Sequence, residues 1–307
     1  MSANSVIGVD VGGTKILAGL VDRQGQILRR HETPTPVGSE EAFLSGLEAS
    51  IDYLLDGQDG VRAVGLGIPS LIDQRLGAAL SSVNIPLAGV PIRERMTERF
   101  GLPVGLDNDA NVAAIAEWAV GAGRGTRDMV MLTLGTGVGG GLILGGRPYR
   151  GSTGAGAELG HMVVLDDGPP CQGSCSGRGH LEALVSGGAA NRVAREVLGP
   201  DADSRQLLAL ARAGEPQAAE AVAEMGRHLG SGIASLVNVF EPELVVIGGG
   251  FASAAAELLL PPARDVLAYQ GLVPVRDRVR IAAAVLGVEA GLVGAALVAF
   301  EAADGGL

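Results

Sequence analysis

Two Asp and two Asn fall within five positions in Asp107-Asn-Asp-Ala-Asn111. An ionised carboxylate can take the proton of an alcohol, and a neighbouring amide can hold that alcohol by hydrogen bonding. The group follows a short apolar run, 103–106, and precedes a stretch of helical period at 113–120. Residues at such a strand-to-helix junction face the cleft in α/β folds. The plainer reading is a helix cap, which also favours Asp and Asn. Four such residues exceed what one cap requires.

A second cluster follows. His161, Cys171, Cys175 and His180 supply four ligands, with C-x3-C-x4-H spacing, which suits a closed tetrahedral zinc site. A Cys171–Cys175 disulfide is the rival reading, and a reducing compartment disfavours it. A catalytic Cys–His pair is crowded by glycines and by the other two ligands. The segment holds no G-x-S-x-G, because Gly173-Ser-Cys-Ser-Gly177 has Cys at its centre. His31 and His228 lack such company and are expected to face solvent.

Glycine loops form the third feature. Gly135-Thr-Gly-Val-Gly-Gly140 fits G-x-G-x-x-G, but an apolar strand follows where a dinucleotide site needs a helix. A Walker loop fails at Lys15, because Ile16 stands where Ser or Thr is required. The remaining reading is a pair of tight hairpins whose backbone N–H groups form anion nests. An offset of 123 residues carries Val9-Asp10-Val11-Gly12 onto Leu132-Thr133-Leu134-Gly135. A polar residue therefore precedes both turns. Tight hairpins need glycine in any case, yet two equivalent loops, one with Asp10 and Lys15, point to phosphate. Asp10 can hold Mg²⁺, most readily through water. Lys15, the only lysine in the chain, is not expected to anchor the γ-phosphate in the Walker manner.

These groups need elements to hold them. Residues 6–10 and 16–21 read as strands around the first glycine turn, and a further strand begins at 26–29. Residues 40–55 carry Phe43, Leu44, Leu47, Ile51, Leu54 and Leu55 at helical spacing, and 61–68 read as a strand. Residues 129–134 and 142–144 repeat the hairpin. A long helix is expected at 216–240, a buried strand at 244–247 before Gly248-Gly-Gly250, and a final apolar helix at 288–302. Two similar halves facing each other would leave a cleft for a small molecule.

The 307 residues leave room for roughly two domains, and 47% hydrophobic against 19% charged residues excludes disorder for most of the chain. A net charge of −11 repels phosphate backbones and anionic lipid, so neither nucleic acid nor membrane is an expected partner. Residues 1–5 show no basic region or apolar block, so a cytoplasmic location is expected.

In combination these motifs resemble the ROK family (repressors, unannotated frames and sugar kinases). The matching stretches are Asp10-Val-Gly-Gly-Thr-Lys15, Asn108-Asp-Ala-Asn111, Gly135-Thr-Gly-Val-Gly-Gly-Gly141, Glu158-Leu-Gly-His161 and the Cys-rich segment ending at Glu182. The resemblance implies a two-lobed α/β, actin-like and hexokinase-like (ribonuclease H-like) ATPase fold with a zinc-binding loop. It implies a small lobe from 1–107 plus 290–307 and a large lobe from 108–289. ATP would bind through Asp10, Gly12, Gly13, Thr14, Lys15, Gly135, Thr136, Gly137, Gly249 and Gly250, with Mg²⁺ near Asp10. Asp109 would be the general base, and Asn84, Asn108, Asp109, Glu158, His161 and Glu182 would hold a hexose. His161 would serve both sugar and structural Zn²⁺, and the chain would form a homodimer or homotetramer.

Two positions depart from the family pattern. Two extra residues precede Cys175, and His180 stands where a third Cys is usual. Imidazole is a sound zinc ligand, so the site is expected to survive. Ser70 follows Gly67-Ile-Pro69 where Gly is common, at a strand end expected to approach the sugar. The leading reading is an ATP-dependent hexose kinase, glucose first, with N-acetylmannosamine, fructose or allose open. A sugar-sensing repressor would need a DNA-binding segment for which Asp10 leaves no room. An actin-like filament or chaperone ATPase would have no use for the Asn-Asp and His/Cys groups.

Overall fold

The computed structural model describes residues 4–82 and 85–306. An antiparallel run opens the chain: β1 (Ser5–Val11), β2 (Lys15–Asp22) and β3 (Ile27–Pro34). Helix α1 (Glu40–Leu55) crosses to β4 (Val61–Ile68), which lies parallel to β1. A hairpin of β5 (Ser70–Asp73) and β6 (Ala78–Ser82), then helix α2 (Ile92–Phe100), lead to β7 (Val104–Asn108), parallel to β4. Helix α3 (Asp109–Ala119) follows at once.

The same plan then repeats. Strands β8 (Met129–Leu134), β9 (Val138–Leu144) and β10 (Arg147–Pro148) run antiparallel. Helices α4 (Leu181–Val185), α5 (Gly187–Leu198), α6 (Ser204–Arg212) and α7 (Pro216–Phe240) precede β11 (Leu244–Gly248), parallel to β8. Helices α8 (Gly250–Gln270) and α9 (Val275–Arg278) lead to β12 (Arg280–Ala283), parallel to β11. Helix α10 (Ala290–Ala303) then returns to the first sheet. The sheet orders are β3-β2-β1-β4-β7 and β10-β9-β8-β11-β12, so the two halves share one topology. This is the expected two-lobed α/β architecture. The offset of 123 residues carries both ends of the first hairpin, Val11 and Lys15, onto both ends of the second, Leu134 and Val138.

Local sequence explains the elements. Ser39 caps α1 by accepting the Ala42 N–H at 3.1 Å, which typically contributes about 1 kcal/mol. Its Phe43, Leu44, Leu47, Ile51 and Leu54 are fully buried, each worth roughly 1.5–3 kcal/mol. Helix α3 starts four residues before the expected 113, because Asn108 Oδ1 accepts the N–H groups of Ala110 at 2.9 Å and Asn111 at 3.2 Å. His31 and His228 are half-buried rather than solvent-facing. His31 stacks on Tyr53, and His228 sits 3.8 Å from Glu224.

Glycines set how α10 meets the sheet. Gly8 pairs with Gly19 on β2 and with Gly65 on β4, and Gly65 pairs with Gly105 on β7. These four therefore form one row across the first sheet, and α10 lies in the trough they leave. A Cβ at Gly65 would land on the carbonyl oxygen of Ala295, and one at Gly8 on that of Leu292. Replacing Gly65 by Ala must lift the helix or break its backbone. We expect Gly65→Ala to cost roughly 3 kcal/mol of unfolding free energy, as overpacking against a rigid backbone does. Urea denaturation measures this directly. A loss within experimental error would show that α10 can shift without consequence.

Candidate active site

Asp10 is the next-to-last residue of β1 and Asp109 begins α3, and both line a cavity of about 450 Å³. Its wall also includes Thr133, Gly248, Gly249, Gly250, Ser253 and Gly291. Asp10 and Thr133 are the two polar residues related by the 123-residue offset, and they meet in one cleft. Burial pushes the Asp10 carboxyl up to about 7, and the Asp109 charge adds to it while Lys15 opposes it. Burial likewise raises Asp109, against the N–H of Ala110 and the Asn108 side chain, which favour its ionised form. A Cβ at Gly291 would land on the Asp10 carboxylate, so this first turn of α10 can carry no side chain there.

Asp10, Gly249 and Gly250 of the expected nucleotide residues line this cavity. Gly12, Gly13, Thr14, Lys15, Gly135, Thr136 and Gly137 are not among its lining residues and form the two hairpin tips. The first tip is braced by Thr35, whose hydroxyl donates to Gly12 O at 2.7 Å and whose N–H donates to Thr14 O at 3.0 Å. The second is braced from α5, where the Gly187 and Gly188 N–H groups donate to Gly135 O at 2.8 Å and Thr136 O at 3.1 Å. Lys15 is exposed and pairs with Glu32 at 3.2 Å.

Glu158, His161 and Glu182 do not line this cavity, but they share one electrostatic neighbourhood with Asp109. Partial burial raises the Glu158 carboxyl, His161 lowers it, and Asp109 and Glu182 add to the rise. Ala157, just before Glu158, has φ 65°, a left-handed conformation rare for a side-chain-bearing residue. Asn108 uses its carbonyl oxygen as the α3 cap and donates its amide to Ser70 O at 3.3 Å. The Ser70 hydroxyl donates to Ser81 O within the β5–β6 hairpin, so Ser70 meets the site through its carbonyl instead. Asn84 lies outside the described residues.

Asp107 is fully buried and unavailable as a base. It accepts from Arg150 Nε at 2.6 Å, Asn111 Nδ2 at 3.1 Å and the Asn108 N–H at 2.8 Å. Arg150 also donates to Glu301 on α10 at 2.8 Å. This bridge joins β7, the segment after β10 and the last helix. No local pattern around Tyr149-Arg150 signals it.

The structure brings His161, Cys171, Cys175 and His180 together, with one ligand atom of each within 4.8 Å of the others. His161 Nδ1 and His180 Nδ1 are 3.3 Å apart, Cys171 Sγ is 3.7 Å from His161 Nδ1, and Cys175 Sγ is 3.6 Å from His180 Nδ1. Tetrahedral bonds of ~2.0–2.1 Å to nitrogen and ~2.3 Å to sulfur place such atoms ~3.3–3.6 Å apart, so these three pairs match the spacing of a zinc site. Both cysteines are free thiols. Burial pushes the Cys171 thiol up to about 12, with Cys175 and Glu182 adding to the shift. Only a cation among these donors would hold it as thiolate. His161 Nε2 faces Glu158 Oε2 at 4.0 Å, so one ring spans from the cluster toward the cleft. Glu182 Oε2 accepts the Val138 N–H at 2.8 Å, and its Oε1 accepts from Cys171 Sγ at 3.7 Å.

The family model described as "ROK family" matches residues 6–302. The chain belongs to the ROK family. The glucokinase of Streptomyces coelicolor is 37% identical over 96% of this chain and 97% of its own. Among solved structures, the ROK hexokinase from Thermus thermophilus aligns with a TM-score of 0.85 at 40% identity, covering 96% of this chain and 98% of that one. A ROK family glucokinase from Streptomyces griseus, in complex with glucose and AMPPNP, aligns with a TM-score of 0.80 at 36% identity, covering 97% and 100%. Among the described residues, no helix of this ROK protein is long and apolar enough to cross a membrane.

The raised Asp10 carboxyl has a consequence for stability. Its folded value of about 7 lies above the ordinary 3.8, so the folded state holds this proton more tightly than the unfolded chain. That contribution is full below about pH 4 and is lost as pH rises through about 7. We expect the melting temperature of ligand-free protein to fall more steeply over this interval for wild type than for Asp10→Asn. Calorimetric scans at several pH values compare the slopes, and parallel slopes would mean that Asp10 is ionised throughout.

Proposed function

We propose that this ROK protein is a sugar kinase that moves the γ-phosphoryl group of ATP to the 6-hydroxyl of a hexose, with glucose the preferred acceptor. The observation that carries this reading is Asp109, a half-buried carboxylate at the N-terminus of α3 that lines the same cavity as Asp10. The likeness to a glucokinase crystallised with glucose and an ATP analogue supports both substrates. On this reading residues 1–107 with 290–307 form the small lobe and 108–289 the large one.

In this mechanism the hexose 6-hydroxyl gives its proton to Asp109 as its oxygen attacks the γ-phosphorus. The bond from phosphorus to the bridging oxygen breaks, and ADP leaves with that electron pair. Burial raises the proton affinity of Asp109, which suits a base taking a proton from an alcohol. Glu158, His161 Nε2, Glu182 and the Asn108 amide bind and orient the other hydroxyls. Backbone N–H groups of the two glycine hairpins, with Gly249 and Gly250, receive the phosphates. Asp10 would hold Mg²⁺ through water, which supplies charge neutralisation on the phosphates when bound. His161, Cys171, Cys175 and His180 would hold zinc, whose role is to order a glycine-rich segment that has no core of its own.

Asp109→Asn keeps the shape and the hydrogen bonding but cannot take a proton. We expect turnover to fall by ~10²–10⁴-fold while glucose binding, measured by calorimetry, stays within a few-fold of wild type. Turnover near wild type would move the base elsewhere and remove the central argument.

For the metal, elemental analysis should find one zinc per chain. Cys175→Ser should lower glucose affinity and melting temperature together, because His161 and Glu182 bound the same segment. Active protein without zinc, or with a Cys171–Cys175 disulfide, would leave His161 a sugar ligand alone.

A further inference from the structure

Glu117 is a carboxylate with no exposed surface, and it plays no part in the mechanism above. Among the described residues no basic side chain forms an ion pair with it. Three backbone donors satisfy it instead. Oε2 accepts the Ala122 N–H at 2.9 Å, and Oε1 accepts those of Val285 at 2.9 Å and Leu286 at 2.8 Å. A buried anion is costly to place, so charge-assisted bonds of this kind mark a position where backbone must be held. The first bond closes the turn after α3. The other two reach 168 and 169 residues along the chain, to the segment between β12 and α10.

That segment is a wall of the cleft. Ala283, Ala284, Gly287, Val288, Ala290 and Gly291 all line the 450 Å³ cavity with Asp10 and Asp109. Val285 and Val288 are largely exposed, at 66% and 70%, so only Ala284 and Leu286 of this segment pack against the core. Helix α3 presents Asp109, Ala110 and Ala113 to the same cavity. One helix thus carries the candidate base at its first residue and, two turns on, the tether of the opposite wall.

We propose that Glu117 is a positioning residue for the nucleotide: it holds the 284–288 wall at a fixed distance from Asp109, and so sets nucleotide affinity without touching the ligand. This rests on the reading of the cavity as the nucleotide site. Glutamine at 117 can still accept from Val285 and Leu286 through its one oxygen, but its amide then faces the Ala122 N–H, donor to donor. Val285→Pro removes one tether from the other end, at an exposed residue that leaves α3 untouched.

The test compares wild type, Glu117→Gln and Val285→Pro. Steady-state kinetics give the KM for ATP and for glucose, and calorimetry gives binding of a non-hydrolysable ATP analogue. The expected result is a rise of about tenfold in both the ATP KM and the analogue Kd for Glu117→Gln, with a glucose KM within twofold of wild type. Val285→Pro should shift the same two constants in the same direction. Wild type that binds no nucleotide would overturn the site reading itself. Wild type that binds it, with both variants binding equally well, would overturn the role of Glu117 alone. A fall in melting temperature with both KM values unchanged, or raised equally, would reduce Glu117 to a structural cap. If Glu117→Gln does not fold, Val285→Pro decides between these outcomes.

Discussion

Helix α10 can lie on the first sheet only where the strands meet it without side chains. The row Gly19, Gly8, Gly65 and Gly105 supplies that contact; at the last three the approach is backbone to backbone, and at Gly19 the Leu292 side chain fills the gap. The opposite face of α10 behaves alike, since a Cβ at Gly294 would land on the carbonyl oxygen of Val112 in α3. The last helix is therefore clamped between the sheet that carries Asp10 and the helix that carries Asp109. Interiors packed at crystal density transmit such constraints rather than absorb them. Gly291, in the first turn of α10, lies against the Asp10 carboxylate as a result. The relative placement of the two central carboxylates is thus set by one helix from the far end of the sequence.

That placement has an electrostatic cost which shapes what can bind. Burial raises both the Asp10 and the Asp109 carboxyl, the Asp109 charge adds to the rise at Asp10, and Asp109 and Glu182 add to that of Glu158. The single lysine is turned to Glu32 at the surface. Two unit charges ~4 Å apart interact by about 4 kcal/mol near a protein surface, so a polyphosphate cannot enter beside ionised carboxylates unaided. Either the carboxylates arrive protonated or a dication accompanies the phosphates. On the proposed reading the second case holds, and the Asp10 proton leaves as the nucleotide enters.

Elements with local signals were legible in the sequence. The α1, β4 and α7 bounds follow from apolar period and from the Pro at 216, and the hairpin repeat was visible because both halves keep the same spacing. The His161, Cys171, Cys175 and His180 cluster was legible because four side chains of two rare types crowd one segment. Other features depend on partners far apart in sequence. Nothing around Arg150 announces Asp107 and Glu301, and nothing around Glu117 announces Val285 and Leu286. The glycine row was equally hidden. Each glycine reads alone as a flexible residue, and only the strand register puts four of them in line. The start of α3 was missed for a local reason: Asp-Asn-rich sequence suits a cap and a loop alike, and the bonds of Asn108 decide between them.

The two halves share a topology yet hold their glycine hairpins differently, and the difference bears on coupling. Four residues separate the last paired positions Val11 and Ile16 of the first hairpin, and three separate Leu134 and Val138 of the second. The first is braced within its own sheet, by Thr35 just after β3. The second is braced by the segment that carries the candidate metal ligands. Glu182 bridges Cys171 to Val138, and Gln172, between the two cysteines, donates to Ser186 Oγ at 2.5 Å. Ser186 caps α5, whose first residues, Gly187 and Gly188, hold the second hairpin. Disorder at the cysteines would therefore reach that hairpin by two routes of hydrogen bonds, and the cleft through His161 and Glu158 by a third. The first hairpin has no such dependence. An ordered Cys/His segment thus links the groups proposed for sugar with those proposed for phosphate.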